Sequence, residues 1–108
     1  MRRFASLRRQ ADFTRLRRRG RRLTTAHLTI YCSDVLPGDP ASLVGISVSK
    51  SIGNAVVRNK LRRRLAAIVH DALAQTAAMR LLVIPRPGAA DVAFAALRDD
   101  VTSALARG

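Results

Sequence analysis

The chain has 108 residues, enough for one domain with a single two-layer core. It has 20 Lys and Arg residues against 7 acidic residues, all Asp, so its formal net charge is +13, which is typical of a nucleic-acid binder. The single cysteine, Cys32, excludes an internal disulfide and a cysteine-based zinc site. No apolar run approaches the roughly 20 residues that span a membrane. We therefore expect one cytoplasmic domain over residues 1–108.

The charge is concentrated in the first two thirds of the chain. Residues 1–70 hold 16 Lys and Arg and 3 Asp, a net charge of 16 − 3 = +13, whereas residues 71–108 hold 4 cations and 4 acids. This distribution predicts that residues 1–70 build the binding surface and that the last third is scaffold.

The first predicted element is a short helix that ends near Gly20. Ten of the first 22 residues are Arg. We expect residues 1–9 to form a flexible basic arm. The apolar residues that indicate the helix are Leu7, Ala11, Phe13 and Leu16.

Three β-segments are predicted next. Residues 23–33 alternate in character, with Ala26, Leu28, Ile30 and Cys32 on a core face and His27, Thr29 and Tyr31 on the other. A turn-rich loop leads to a second segment, 43–49, and we expect the two segments to form a hairpin. The apolar run RLLVIPR, residues 80–86, is typical of a strand buried on both faces.

The longest predicted helix follows Asn54, a favourable N-cap. Five of the seven residues 58–64 are cationic, and like charges at i,i+4, such as Arg58 and Arg62, destabilise a helix by about 0.2–0.5 kcal/mol per pair. We infer that a polyanion such as RNA supplies the missing countercharge. The stripe that packs on the sheet comprises Val57, Leu61, Leu65, Ile68 and Ala72, with Val69 at its edge.

The spacing of apolar residues predicts a last helix within residues 91–106. The residues that carry this spacing are Phe94, Leu97, Val101 and Leu105, and Asp91 lies near the N-terminus of the helix, where the helix dipole favours an acid. The elements together predict an α+β sandwich in which helices cover one face of a small sheet.

The segment VGISVSKSIGNAVVRNKLRRRL, residues 44–65, resembles the signature of the bacterial ribonuclease P protein family, an R-N-R/K core between G-N-A-V and further cations. DFTRLRRRGRR, LTIY and LLVIPRPGA are similar to other family segments. The resemblance implies the order α-β-β-β-α-β-α with a left-handed βαβ crossover, a topology also found in a ribosomal-protein domain. It also implies that the protein joins a catalytic RNA, ribonuclease P RNA, and that the complex hydrolyses precursor tRNA to release its 5′ leader.

The resemblance implies two sets of site residues. The first neutralises RNA phosphates and, through Asn59, hydrogen-bonds to sugar or base: Lys50, Arg58, Asn59, Lys60, Arg62 and Arg63. The second contacts the single-stranded leader, where aromatic stacking is worth about 1–3 kcal/mol per base: Phe13, Arg17, His27, Thr29 and Tyr31. We expect no catalytic or metal-ligating side chain, Mg²⁺ held by the RNA, and a monomeric protein bound one-to-one with that RNA.

Three positions depart from the family pattern. Arg17 stands where a second aromatic residue is usual, so a guanidinium would replace a ring there. Ala66 stands where Lys or Arg is usual. Ser51 interrupts a common pair of lysines.

Other classes of function fit the sequence less well. A ribosomal or other structural RNA-binding protein is compatible with the charge alone but not with the specific motif. Ser47 and Lys50 match the S-x-x-K spacing of serine acyl enzymes, yet Ser47 lies in a predicted strand rather than at a helix start. Membrane-surface binding requires a broader apolar face than residues 1–22 offer.

Overall fold

The computed structural model describes residues 4–107. They form a five-stranded sheet in the order β1-β4-β5-β3-β2 and three α-helices. The predicted order α-β-β-β-α-β-α is confirmed, with one further strand in front of it; the hand of the crossover stays a prediction. The strands are β1 (Phe4–Ser6), β2 (Arg21–Thr24), β3 (Leu28–Asp34), β4 (Ser42–Ile46) and β5 (Met79–Pro85), and the helices are α1 (Gln10–Arg19), α2 (Ala55–Leu73) and α3 (Phe94–Arg107).

Strand β1 lies in the segment that we expected to be a flexible arm. It pairs in parallel with β4, with Phe4 opposite Ser42 and Ser6 opposite Val44. The N–H of Leu7 continues the ladder by donating to the Val44 carbonyl at 2.9 Å, and the Leu7 side chain is only 5% exposed. Backbone pairing and apolar burial together hold this segment on the sheet. Residues 1–3 of the expected arm lie outside the described residues.

The hairpin expected between residues 23–33 and 43–49 is wrong. A bend at residues 25–27 divides the first segment into β2 and β3, which pair with each other, and β5 lies between β3 and β4. The reason is the continuous apolar run in β5, where Leu81, Leu82 and Val83 are each at most 1% exposed. A strand buried on both faces is stable in the middle of a sheet, so β5 pairs with β3 on one side and with β4 on the other.

Helices cover both faces of the sheet, whereas we expected them on one. Helices α2 and α3 pack on the face that presents Ile30, Val44, Leu81 and Val83. Helix α1 packs on the opposite face, where Leu16 contacts a cluster that includes Leu82 and Tyr31. The apolar side chains of the sheet that lie under α1 therefore form a second cluster, separate from the main core under α2 and α3.

Most of the predicted apolar stripe of α2 packs on the sheet, but Val57 and Ala72 are only half-buried. Asn54 caps the helix, because its side-chain oxygen accepts a hydrogen bond from the Val57 N–H at 3.0 Å. The buried residues are Leu61, Leu65, Ile68, Val69 and Leu73. In α3, Phe94 is 38% exposed and the buried residues are Leu97, Val101, Ala104 and Leu105.

Candidate RNA interface

The first half of α2 presents its cations to solvent. Asn59, Lys60 and Arg63 are exposed, Arg62 and Arg64 are half-buried, and no acid lies in the first turn. Lys50 is exposed in the single 3₁₀ turn that precedes the helix. Because the apolar stripe fixes the helix on the sheet, these side chains are displayed on a rigid element.

Asn59 and Arg62 are hydrogen-bonded to each other. Arg62 Nη1 donates to Asn59 Oδ1 at 2.7 Å, one helical turn along α2. The bond restrains the Arg62 guanidinium, which keeps further N–H donors, and it leaves the Asn59 amide N–H groups as donors. The pair can therefore offer donors to a phosphate or sugar from one side of the helix.

Arg58 differs from the other cations of α2. The side chain is half-buried, and its Nε is shielded from solvent without a hydrogen-bond partner among residues 4–107. A buried donor that lacks an acceptor is unusual, because losing hydration without a replacement bond costs about 1–3 kcal/mol. An acceptor from outside the chain, such as a phosphate oxygen, would satisfy it.

A groove of about 400 Å³ runs between α2 and α1 across the sheet edge. Strand β1 ends at Ser6, so Gly45 and Ile46 of β4 are not paired with β1 where the groove crosses the edge. Gly45 matters for its shape, since a Cβ there would lie 2.7 Å from Cε1 of the Phe13 ring. The groove brings together residues from both predicted sets: Phe13 with Asn59, Arg62 and Arg63, and it also reaches Ala66.

A second open groove, of about 430 Å³, continues on the other side of Phe13. Arg17 and Arg18 of α1 line it, together with Ser47, which directly follows β4. Phe13 and Arg17, both of which the resemblance assigns to leader contact, therefore line the same groove. Phe13 lines both grooves, and the two together are called here the Phe13 groove.

Thr29 and Tyr31 lie on the α1 side of the sheet. Tyr31 is opposite Leu82 and Thr29 is opposite Ile84 in the β3–β5 ladder, and all four face the same way. Tyr31 is half-buried and packs in the cluster that contains Leu16 and Leu82. Both residues share the sheet face of the Phe13 groove without belonging to its lining.

The structure separates His27 from the other residues predicted to contact the leader. Its ring Nδ1 lies 2.9 Å from Asp100 Oδ2 of α3, the helix that packs on the opposite face. The alternation that placed His27 beside Thr29 does not apply, because residues 25–27 form a bend and β3 begins only at Leu28.

Sequence reasoning missed a buried ion-pair cluster that anchors α1. The Arg80 guanidinium of β5, 7% exposed, donates to both oxygens of Asp39 at 2.9 Å and to Asp12 Oδ1 at 2.9 Å. These hydrogen bonds hold the pKa of Asp39 at about 2 and raise that of Arg80 above its usual range. Asp12 immediately precedes Phe13 in α1, so the ion pair with Arg80 helps to position the helix turn that carries the Phe13 ring.

Residues 4–107 contain no group of three or more His, Cys, Asp or Glu side chains arranged to hold a metal ion. Every helix within that range is too short or too polar to traverse a lipid bilayer.

Comparison with known proteins agrees with this geometry. The chain matches the ribonuclease P protein family over residues 1–108. It is 41% identical to the ribonuclease P protein component of Streptomyces avermitilis, with 94% of this chain and 89% of that protein aligned. The corresponding protein of Acidothermus cellulolyticus is 38% identical, with 94% and 85% aligned.

A solved structure shows the same fold. The ribonuclease P protein of Staphylococcus aureus superposes with a TM-score of 0.83 at 26% identity, and the alignment covers 94% of this chain and 93% of that one. The family match, the two relatives and the shared fold agree with one another. The chain therefore belongs to the ribonuclease P protein family, the RNA-binding protein components of the endoribonuclease complex that matures the 5′ end of tRNA.

Proposed function

We propose that this protein binds ribonuclease P RNA through the cations of α2 and guides the 5′ leader of precursor tRNA along the Phe13 groove. The observation that supports this proposal most strongly is the lining of the Phe13 groove. One wall carries Asn59, Arg62 and Arg63, and the Phe13 ring forms part of the other. A nucleic acid in the groove would meet phosphate-binding and base-stacking groups together.

The α2 cations suit a folded RNA because they are held close together. Binding of RNA phosphates would relieve the repulsion among them and release counterions from the RNA, which makes affinity salt-dependent. Arg58 offers a more selective contact, since its buried Nε requires an acceptor with defined geometry. Asn59 adds amide donors that can reach a sugar or base.

The Phe13 groove suits a single strand rather than a duplex. Stacking on an aromatic ring tolerates any base, because every base has a π-face. Arg17, which replaces the usual aromatic, can stack its planar guanidinium on a base or pair with a phosphate. Leader binding would therefore depend little on leader sequence.

We assign the bond-breaking step to the RNA partner. Residues 4–107 contain no group of three or more His, Cys, Asp or Glu side chains that could hold Mg²⁺. Magnesium bound by the RNA would supply the hydrolytic chemistry. The protein would bind and orient the substrate as a monomer, one-to-one with the RNA, in the cytoplasm where precursor tRNA is processed.

Reconstitution tests the proposal. Adding the protein to its cognate RNA and a precursor tRNA at low magnesium should accelerate leader removal and tighten substrate binding. The protein without RNA should cleave nothing. If the protein changed neither rate nor affinity, or cleaved precursor tRNA unaided, the proposal would be wrong.

Arg62→Ala tests the role of α2, with Arg98→Ala as a matched control. Both substitutions remove one Arg, but Arg98 is an exposed residue of α3 outside the Phe13 groove. The slope of log K against log salt for ribonuclease P RNA should become shallower by about 0.7–0.9 for Arg62→Ala only. Equal slopes for the two variants would contradict the assignment.

A further inference from the structure

We propose a second RNA-binding surface at the β2–β3 bend, formed by the guanidinium groups of Arg86 and Arg107. We call it the bend patch. Its ligand would be the phosphate backbone of RNA, from ribonuclease P RNA or from the tRNA. The inference rests on the proposed function, because it assumes that the protein works in a complex with these RNAs.

Both guanidinium groups contact backbone carbonyls of the bend. Arg86 Nη1 donates to the Thr25 carbonyl at 3.1 Å, and Arg107 Nη2 approaches the Thr24 carbonyl at 3.5 Å. These carbonyls belong to consecutive residues, so the two cations are brought close together from distant parts of the sequence. Each guanidinium has five N–H donors, and most remain for an anion.

Asp100, the carboxylate that is hydrogen-bonded to the bend, forms no ion pair with Arg86 or Arg107 within residues 4–107. Asp100 Oδ2 accepts from the Thr25 hydroxyl at 3.0 Å and from the His27 N–H at 3.1 Å, and it contacts the His27 ring at 2.9 Å. Within residues 4–107, neither Arg86 nor Arg107 has a carboxylate oxygen within 4.0 Å. Both side chains are exposed, so their charge is available to a partner.

The bend patch lies at an open edge of the sheet, and Arg22 is on the same edge strand, although its pairing with Tyr31 places its side chain on the α1 face. Strand β2 pairs only with β3 and forms one edge of the sheet, and Arg22 is exposed two residues before Thr24, about 7 Å away. Strand β1, beside the Phe13 groove, forms the other edge, four strand spacings or roughly 19 Å away. The bend patch would therefore contact a different RNA segment from the one in the groove.

Charged residues on an edge strand also have a protective role, since they prevent pairing with another chain. That role requires charge on β2 itself and explains Arg22. It does not require Arg86 and Arg107, which reach the bend from the segment after β5 and from the end of α3. If the charge of Arg86 and Arg107 only prevented pairing with another chain, its removal would cause aggregation and would leave the salt dependence of RNA binding unchanged.

The test uses Arg86→Gln, Arg107→Gln and the double variant, with Arg98→Gln as the control. Glutamine keeps an amide donor for the bend carbonyl and removes the charge. Binding is titrated against salt in three arms: ribonuclease P RNA with the protein, then precursor tRNA and leaderless mature tRNA with the assembled complex. The arm that responds identifies the RNA that supplies the phosphates.

In at least one arm, each single substitution should reduce the magnitude of the salt slope by about 0.7–0.9, and the double variant by about 1.4–1.8. Arg98→Gln should keep the wild-type slope. Wild-type slopes in all three arms, or an equal change in Arg98→Gln, would overturn the bend patch. If the double glutamine variant does not fold, the two single glutamine variants are compared with the double lysine variant Arg86→Lys/Arg107→Lys. The lysine variant keeps the charge, so its salt slope should match that of wild type, whereas the slopes of the single glutamine variants should be shallower.

This failure is distinguishable from failure of the proposed function. If Arg62→Ala flattens the slope and the bend variants do not, only the bend patch is wrong. If the wild-type protein neither binds ribonuclease P RNA nor assists leader removal, both proposals are wrong.

Discussion

Arg80 of β5 and Asp12 of α1 form an ion pair, with Arg80 Nη1 2.9 Å from Asp12 Oδ1. It joins the central strand to the helix that carries Phe13 and Arg17. Asp39 binds the other side of the same guanidinium. A buried cation with two carboxylate partners is satisfied only while both are present.

Asp12→Ala should destabilise the protein. The substitution removes one acceptor from a guanidinium that is only 7% exposed, which typically costs about 1–3 kcal/mol. Chemical denaturation at neutral pH measures the change in free energy of unfolding. Asp99→Ala, an exposed acid on α3, should have little effect, and equal losses in the two variants would show that the ion pair adds nothing.

Acid stability should depend on Asp39. Hydrogen bonds from Arg80 and from the Leu36 N–H hold its pKa at about 2 in the folded chain, against 3.8 ordinarily. The carboxylate therefore stabilises the fold fully above about pH 4, and this contribution is lost as the pH falls towards 2. The pKa of Arg80 is raised, so Arg80 stays charged throughout.

Urea denaturation of wild type and Asp39→Asn between pH 2 and pH 7 measures this contribution. The variant should be less stable at neutral pH, and its stability should fall less steeply below about pH 4, because the asparagine does not titrate. Parallel pH profiles would show that Asp39 is not the group responsible.

Gly45→Ala should disturb the Phe13 groove. The new methyl group would meet the Phe13 ring at 2.7 and 3.0 Å and Leu7 Cβ at 3.4 Å, and overpacking of this kind typically costs about 1–3 kcal/mol. Phe13→Leu should relieve the clash, so the double variant should lose less stability than the sum of the single losses. Additive losses, measured by thermal or chemical unfolding, would contradict the contact.

The sequence was sufficient to predict the elements that depend on local spacing. Each of three correctly predicted features depends only on residues that are close together in sequence: the apolar stripe of α2, its Asn54 cap and the buried run of β5. Strand partners were not predictable in the same way, because pairing depends on how much apolar surface each strand buries. The fully buried β5 therefore displaced the expected neighbour of β3.

The sequence also failed to separate the roles of individual arginines. Arg80 binds Asp39 and Asp12, which are 41 and 68 residues away, and no local pattern contains that relationship. Its position inside an apolar run was the available signal, since a cation there requires buried partners. The approach of Arg86 and Arg107 to one bend has no such signal, because the two residues come from separate segments of the chain.

Asn59 and Arg62 should act together in RNA binding. Asn59→Ala removes the acceptor that restrains Arg62, and we expect affinity for ribonuclease P RNA to fall by about 0.5–1.5 kcal/mol. In an Arg62→Ala background the same substitution should cost less, because there is no guanidinium left to orient. A double-mutant cycle at fixed salt measures this coupling, and an equal effect in both backgrounds would show that Asn59 acts independently.

Tyr31 should contribute to leader binding through its ring. Tyr31→Leu keeps an apolar side chain against Leu16 and Leu82 but removes the aromatic face, which is worth about 1–3 kcal/mol for a stacked base. Affinity of the assembled complex for precursor tRNA should fall accordingly, whereas mature tRNA without a leader should bind as before. Tyr31→Phe, which keeps the ring, should resemble wild type with both substrates. If Tyr31→Leu weakened both substrates equally, the ring would not be contacting the leader, and its role would be limited to packing under α1.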